Sequence, residues 1–330
     1  MVFSSLQLPG FVNLYLLKRV VYSIVILWAV ATIIFGMTNV IPGSAANILL
    51  GQTATEERVE MMEEELGLDE PIHERYVDWL HGVVTGDWGT SFFFKQPVTT
   101  IIWPKLIHTA QLALVSITLL VLLGIPLGVI AAWKRGSAID TSISSLSYIG
   151  VSMPEFVTGT LLILLFAVGE GPLKFFPSGG YEPLSAGIIP FLEHIALPAI
   201  TLTILILAHI MRQTRSSTIE ELHSEYVRTA RVKGLRERTV LFKHALRNGL
   251  LPAITVIALN FGWMMGSVVV VEEVFTYPGL GRLIVQSIHN QDLPLMQMAI
   301  MIPAATYVFA NLIADLMYSY LDSRIEFGRS

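Results

Sequence analysis

The side chains able to do chemistry in this chain are few and widely spaced. There is no cysteine, which excludes disulfides, thiolate metal sites and cysteine nucleophiles. No GxxxxGK(S/T) phosphate loop occurs and no glycine is followed by lysine, so nucleotide hydrolysis by that route is excluded. HExxH, GxSxG and paired-histidine metal spacings are missing too, and the 8 His residues are scattered. What remains is a set of polar groups inside long apolar runs. Glu155 follows Pro154, Asn311 and Asp315 are four apart and share a helix face, Asn260 and His209 stand alone, and Glu272 and Glu273 are adjacent. A charged side chain at the centre of a membrane helix costs about 2.5–3.5 kcal/mol, so each needs water, a partner or a path to line. Nothing in this set assembles a nucleophile, a base and a metal site.

Each polar group carries two readings. Ser152, Met153 and Glu155 line a polar path, or Glu155 sits near one membrane face, because the run around it is about nine residues longer than a span requires. Asn311 and Asp315, like Asn260, line the same path or pack against a neighbouring helix, and packing is expected. His209 is expected to bond between helices rather than hold a proton or a metal. Glu272 and Glu273 precede Tyr277-Pro-Gly-Leu-Gly281, a turn expected to form an outer gate or re-entrant loop.

These groups are carried by a chain of 330 residues that is 53% hydrophobic and only 14% charged, against about 25% charged in soluble domains. The deficit falls in uncharged runs long enough to cross a bilayer. Six are expected: Val20–Ile41, Leu106–Trp133, Thr141–Gly169, Ile195–Met211, Gly249–Val271 and Leu293–Leu321. The first, with 22 uncharged residues, exceeds a signal-peptide core of about 7–15 residues, so an uncleaved anchor is expected. With both termini on one side, that side holds Lys18, Arg19, Lys134, Arg135, Arg324, Arg329 and nine basic residues from Arg212 to Arg247. The other side holds only Arg58, Arg75, Lys95, Lys105, Lys174 and Arg282. Because Lys and Arg mark cytoplasmic loops, both termini are expected inside.

The outer segment from Pro42 to Lys105 is acidic. Thr53 with Glu56 reads as a capping box, and Val59, Met62 and Leu66 recur at helical spacing before Gly67 and Pro71 stop the helix. Its charge run is expected to be a solvated face over the mouth of the bundle. Trp79 and Trp88 suit a membrane interface.

The inner segment from Arg212 to Asn248 is too polar for the bilayer. Ser217 with Glu220 reads as a capping box, and Leu222, Tyr226 and Ala230 share one face. Gly234 suits a helix C-terminus. A second helix is expected over Arg236–Arg247, with Val240, Leu241 and Ala245 on one face. Periodicity leaves two uses open: a basic surface against anionic headgroups, or a short lever that passes an external push to the spans on either side.

The run Glu225-Tyr-Val-Arg-Thr-Ala-Arg-Val-Lys-Gly234-Leu resembles the EAA motif of ABC importer permeases, in the form found in dipeptide, oligopeptide and nickel importers. The triplet falls on Arg228, Thr229 and Ala230, of which only the last Ala is kept, and the distance from Gly234 to Leu251-Pro252 is longer than in the general motif. The resemblance extends along the chain in order. It covers Val40-Ile-Pro-Gly43, Gly67-Leu-Asp-Glu-Pro71 with Tyr76 and Trp79, Gly86-Asp-Trp-Gly89 and Leu123-Gly-Ile-Pro-Leu-Gly128. It continues through Val269-Val-Val-Glu-Glu-Val-Phe-Thr-Tyr-Pro-Gly-Leu-Gly281, Asn311-Leu-Ile-Ala-Asp315 and Leu321-Asp-Ser-Arg-Ile325.

This resemblance implies an all-α polytopic membrane protein with six transmembrane helices, N-in and C-in. It divides into residues 1–41, an external cap over 42–105, and a permease core over 106–330 that includes the coupling segment 212–248. It implies a plasma or inner membrane location, a homologous second permease, two cytoplasmic ATPases carrying ATP and Mg, an external solute-binding protein and no nucleic acid. The chain itself is expected to hold no cofactor or metal and to catalyse nothing. Glu225, Tyr226, Arg228, Thr229, Ala230, Gly234 and Leu235 would couple to the ATPases. Peptides are the default solute, with nickel chelates or oligosaccharides as alternatives. A carrier driven by an ion gradient is the rival of a different class; such folds often show internal repeats around intramembrane charges, and no clear repeat is present here.

Overall fold

The computed structural model describes residues 10–40, 55–65, 67, 69–167 and 175–321. Its helices are α1 (Gly10–Val40), α2 (Glu56–Glu65), α3 (Ile72–Thr85), α4 (Val98–Trp133), α5 (Ala138–Ser152), α6 (Glu155–Phe166), α7 (Ile188–Leu222), α8 (Glu225–Val232), α9 (Leu251–Val274), α10 (Leu280–His289) and α11 (Leu293–Leu321). Between α8 and α9 a return segment joins Glu237–Thr239, a π-helical turn over Val240–Ala245, and Leu246–Gly249. Among the described residues the only β pairing is one bridge, Thr90 to Pro97.

Four stretches, Leu17–Asn39, Val98–Trp133, Ile188–Leu222 and Leu293–Ile313, are long and apolar enough to cross a membrane. The pair α5 and α6 is a further candidate, bent by 107°, and the 24 residues of α9 extend about 36 Å. Trp28, Leu114, Leu122, Leu146 and Phe309 are exposed on the outside of these helices. Apolar faces of that extent suit hydrocarbon rather than water.

Three expected boundaries shift. The run expected over Thr141–Gly169 is two helices, Ala138–Ser152 and Glu155–Phe166, rather than one continuous helix, and residues 168–174 lie outside the described set. Pro154 has no N–H to give, and it holds Met153 extended at φ −96°, ψ 129°. The second span begins at Val98 instead of Leu106, so the division at 105 falls inside a helix that continues through Pro104. The fourth is longest of all relative to expectation, running 35 residues from Ile188 to Leu222. Glu193, Arg212 and Arg215 end the apolar run there but not the helix. Ser217 is consequently mid-helix and caps nothing; its hydroxyl lies 2.7 Å from both the Gln213 and the Gly249 carbonyls, which share its single proton. Thr53, Leu66, residues 41–43 and those after 321 lie outside the described set.

Two cores hold the helices together. The larger joins α4, α6, α7 and α9 through Leu112, Leu120, Ile195, Ile206, Val268 and Phe275. Helices α4 and α7 cross closely where Gly124 and Gly128 lie four apart. A Cβ on Gly128 would sit 2.7 Å from the Met211 carbonyl, and one on Gly124 3.2 Å from Ile210. Small residues at that spacing let helix backbones approach in a membrane.

The second core packs α1, α4, α10 and α11 through Ala31, Ile34, Ile102, Leu283 and Met298. The outer segment docks on it. Trp79 and Trp88 pack against this core; the Trp79 ring lies 5.5 Å from that of Phe35. Tyr76 shares a 2.7 Å hydrogen bond with Thr32. The acidic residues Glu56, Glu57, Glu60 and Glu64 stay exposed, as expected of a solvated face.

Candidate functional site

Helix α8 starts after an extended Ser224 and stops at Gly234, whose φ is +77°. An L side chain resists that region, and glycine enters it freely. The amide of Gly234 donates to the Arg231 carbonyl at 2.9 Å, and that of Leu235 to the Ala230 carbonyl at 3.3 Å. Orphan carbonyls of a short helix are thereby satisfied.

The helix is amphipathic. Val227 and Ala230 are buried against Val240 and Ala245 of the return segment. Glu225, Arg228, Thr229, Gly234 and Leu235 are exposed. Ala230 therefore belongs to the support under the helix and not to the surface a partner could touch. Val232, which the motif comparison passed over, is 82% exposed. Val232 and Leu235 together form a small exposed apolar patch at the end of the helix.

Tyr226 braces the hairpin. Its hydroxyl donates to the Glu221 carboxylate and accepts from Asn248 Nδ2 at 3.2 Å. Burial first, and then the Glu221 bond, push its phenol above the ordinary range. Arg231 Nε reaches Glu237 at 3.0 Å, and its Nη1 donates to the Leu222 carbonyl at 3.1 Å.

Beneath the hairpin, Leu241 and Leu246 pack on Val129 of α4. Ser217 ties α7 to Gly249, just ahead of α9. A Cβ on Gly249 would lie 3.4 Å from the Thr218 backbone, so the segment sits close against α7. Through the return segment, α8 thus rests on α4, α7 and α9. Arg215 of α7 also grips Asp140 of α5, 2.7 Å from Nε to Oδ1. The sequence held a signal for Asp140, because Ser137 three residues earlier makes an S-x-x-D cap; the Ser137 hydroxyl accepts from the Asp140 amide at 3.4 Å.

The path candidates fall in separate places. Ser152, Met153 and Glu155 sit at the α5–α6 bend; Ser152 bonds back to the Tyr148 carbonyl at 2.8 Å, and Glu155 is half-buried. Met153 lines an apolar cavity of about 390 Å³ with Leu127, Ile204 and Leu207. Asn260 donates to the Val256 carbonyl of its own helix at 2.7 Å. Asp315 pairs with Arg19 at 2.9 Å and joins α11 to α1, the packing role expected of it. His209 is exposed and meets Arg212 of its own helix at 3.3 Å, not a second helix.

Glu272 is fully buried, so it lines no path. Its carboxylate accepts from the Thr109 hydroxyl at 2.5 Å and the Arg282 amide at 3.1 Å, while its carbonyl accepts from the Tyr277 amide at 2.8 Å. It holds the N-terminus of α10 against α4, a position where a helix favours negative charge. Gly279 and Gly281 pass so close to this carboxylate that a side chain at Gly279 would overlap it. The Tyr277–Gly281 turn is thus built around Glu272, and only Glu273 of the pair faces out.

Comparisons with known proteins agree with this architecture over most of the chain. The family model for the binding-protein-dependent transport system inner membrane component matches residues 124–327, and the model for the N-terminal part of such components matches residues 12–113. The chain belongs to this family. It is an integral membrane permease, and permeases of this family are not themselves enzymes. One relative, the oligopeptide transport system permease protein AppB of Bacillus subtilis, is 39% identical over 316 residues, covering 95% of this permease and 99% of AppB. Another, named probable peptide ABC transporter permease protein y4tP, from Sinorhizobium fredii, is 38% identical over 96% of this permease and 100% of y4tP. The dipeptide transport system permease protein DppB of Alkalihalophilus pseudofirmus is 34% identical, covering 95% and 99%.

Proposed function

We propose that this permease forms half of the translocation pathway of an ATP-driven importer for di- and oligopeptides. Its partners are a homologous permease, two cytoplasmic ATPases that bind ATP and Mg, and an external solute-binding protein. It crosses the plasma membrane six times, α5 and α6 together making the bent third span, with both termini inside. The relatives that carry peptide transport in their names support the choice of solute.

The observation that carries the reading is the α8 hairpin. A two-turn helix ended by a left-handed glycine presents Arg228, Val232 and Leu235 outward and rests on α4, α7 and α9. As the ATPases close on ATP, they push α8. The push tilts α7 and α9, and the pathway alternates between inward-open and outward-open. The bound solute is released to the pathway from the binding protein at the acidic outer cap.

The test is purification of the chain from its native membrane in mild detergent, with mass spectrometry of the bound proteins, followed by reconstitution. Two ATPases, a second permease and ATP-dependent uptake of a labelled dipeptide are expected. A chain that purifies alone, from preparations in which other complexes survive, or uptake that follows an ion gradient without ATP, overturns the reading.

A further inference from the structure

A cavity of about 450 Å³ lies between Lys105 of α4, Glu273 at the end of α9, and the face of α10 that carries Arg282, Gln286 and His289, with Pro278 on its wall. Its size is that of a small-ligand site. Its cations are incompletely paired. The half-buried Lys105 ammonium has no hydrogen bond or ion pair among the described residues. Arg282 places Nη1 on the Thr276 carbonyl at 2.9 Å but approaches Glu273 only to 3.9 Å, so most of its five donors are open. Glu272, buried beneath, attracts Lys105 and offsets part of this charge, but its oxygens are taken up by the Thr109 hydroxyl and the Arg282 amide and it makes no direct bond to either side-chain cation. Two cations share one cavity with a single exposed carboxylate.

Like charges side by side and partly out of water repel, and an anion seated between them removes that repulsion while making charge-assisted hydrogen bonds. Arginine with lysine suits a carboxylate in particular: the guanidinium fork takes its two oxygens and the ammonium adds a third contact. The apolar wall leaves room for the rest of a small molecule. We infer that this cavity is a carboxylate subsite that holds the free carboxyl terminus of a peptide solute between Lys105 and Arg282. The inference rests on the reading of this chain as a peptide permease.

Lysine acylation reads the site directly. The complex, purified in nanodiscs, is treated with a limiting amine-acylating reagent, and labelling at Lys105 is measured by mass spectrometry. The probes are N-acetyl-dialanine and its C-terminal amide, neither of which has an amine to compete. The free acid at millimolar concentration is expected to slow Lys105 labelling about tenfold, and the amide to leave it unchanged. Arg282→Gln is expected to abolish the protection and Arg282→Lys to keep part of it. Equal labelling with acid and amide in the unaltered protein overturns the inference. So does protection of Lys105 by the peptide-free binding protein alone, because the carboxylate would then come from that protein's surface. The readout needs no transport, so a failure of ATP-driven uptake sinks the importer reading separately from this one.

Discussion

The Arg215 guanidinium holds both oxygens of the Asp140 carboxylate, Nε to Oδ1 at 2.7 Å and Nη2 to Oδ2 at 2.8 Å. Asp140 also accepts the Gly136 amide at 2.9 Å. One carboxylate thereby closes the turn between α4 and α5 and binds it to α7 just above the coupling hairpin. Asp140→Asn is expected to destabilise the protein by about 2 kcal/mol, below the roughly 3–5 kcal/mol for one lost partner of a fully buried pair because Arg215 keeps some water contact. The midpoint of thermal unfolding in detergent measures this. An unchanged midpoint would mean that the pair forms without holding the helices.

Gly234 has open space where a side chain would go, so its φ of +77° is the whole constraint. Gly234→Val costs about 1–2 kcal/mol locally and is expected to redirect Leu235 while the protein still inserts and assembles. ATP hydrolysis should continue with uptake cut several-fold, and Gly234→Asn should be milder. Measuring the ratio of peptide taken up to ATP hydrolysed checks it; normal coupling in the valine variant counts against the lever.

At Glu272 the lock is internal. Glu272→Ala is expected to lower stability by about 2–3 kcal/mol, because the Thr109 hydroxyl and the amides at the start of α10 lose their acceptor in a buried place. Glu272→Gln keeps the shape but turns one acceptor into a donor, and should fall between. A thermal series over the two variants gives the order, and an alanine variant as stable as the unaltered protein would refute the capping role.

The outer cap hangs on Asp292. This buried carboxylate accepts from the Ser91 hydroxyl, the Phe92 amide at 3.0 Å and the Phe93 amide at 3.2 Å. Asp292→Ala should free the loop that ends at Lys95, and trypsin should cut there about tenfold faster. Added to intact cells stripped of any outer envelope, the protease reaches Lys95 only if the cap is external. Cleavage seen solely in inverted vesicles would reverse the orientation.

A cysteine-free chain also needs no background removal for thiol mapping. Glu60→Cys should react with a membrane-impermeant maleimide from outside, and Lys233→Cys only after permeabilisation. Labelling of both from one side breaks the expected topology.

Some of this was legible in the sequence. Gly234 could be read because a left-handed residue needs glycine and the flanking helices end there. Pro154 marked a break, although a proline does not state an angle, and the 107° bend depends on what α5 and α6 pack against. The full length of α7 was hidden because charge marks where hydrocarbon ends, whereas a helix continues for as long as its backbone bonds are made. Asp140 with Arg215 and Thr109 with Glu272 join residues far apart in sequence, and no local pattern links them. Spacing puts Ala230 on one face with Leu222 and Tyr226 without saying which side of the helix is covered, and the structure buries it.

Helix α7 is one piece from Ile188 to Leu222, about 52 Å of rod, against roughly 30 Å of hydrocarbon. It stands out beyond the bilayer like the shaft of an oar through its rowlock. Were the close crossing at Gly124 and Gly128 of α4 to serve as its pivot, a nudge at the Leu222 end would swing the opposite blade the other way. On the importer reading, stiffness alone would make the two mouths of the pathway exclusive: no signal would have to tell one side that the other had opened.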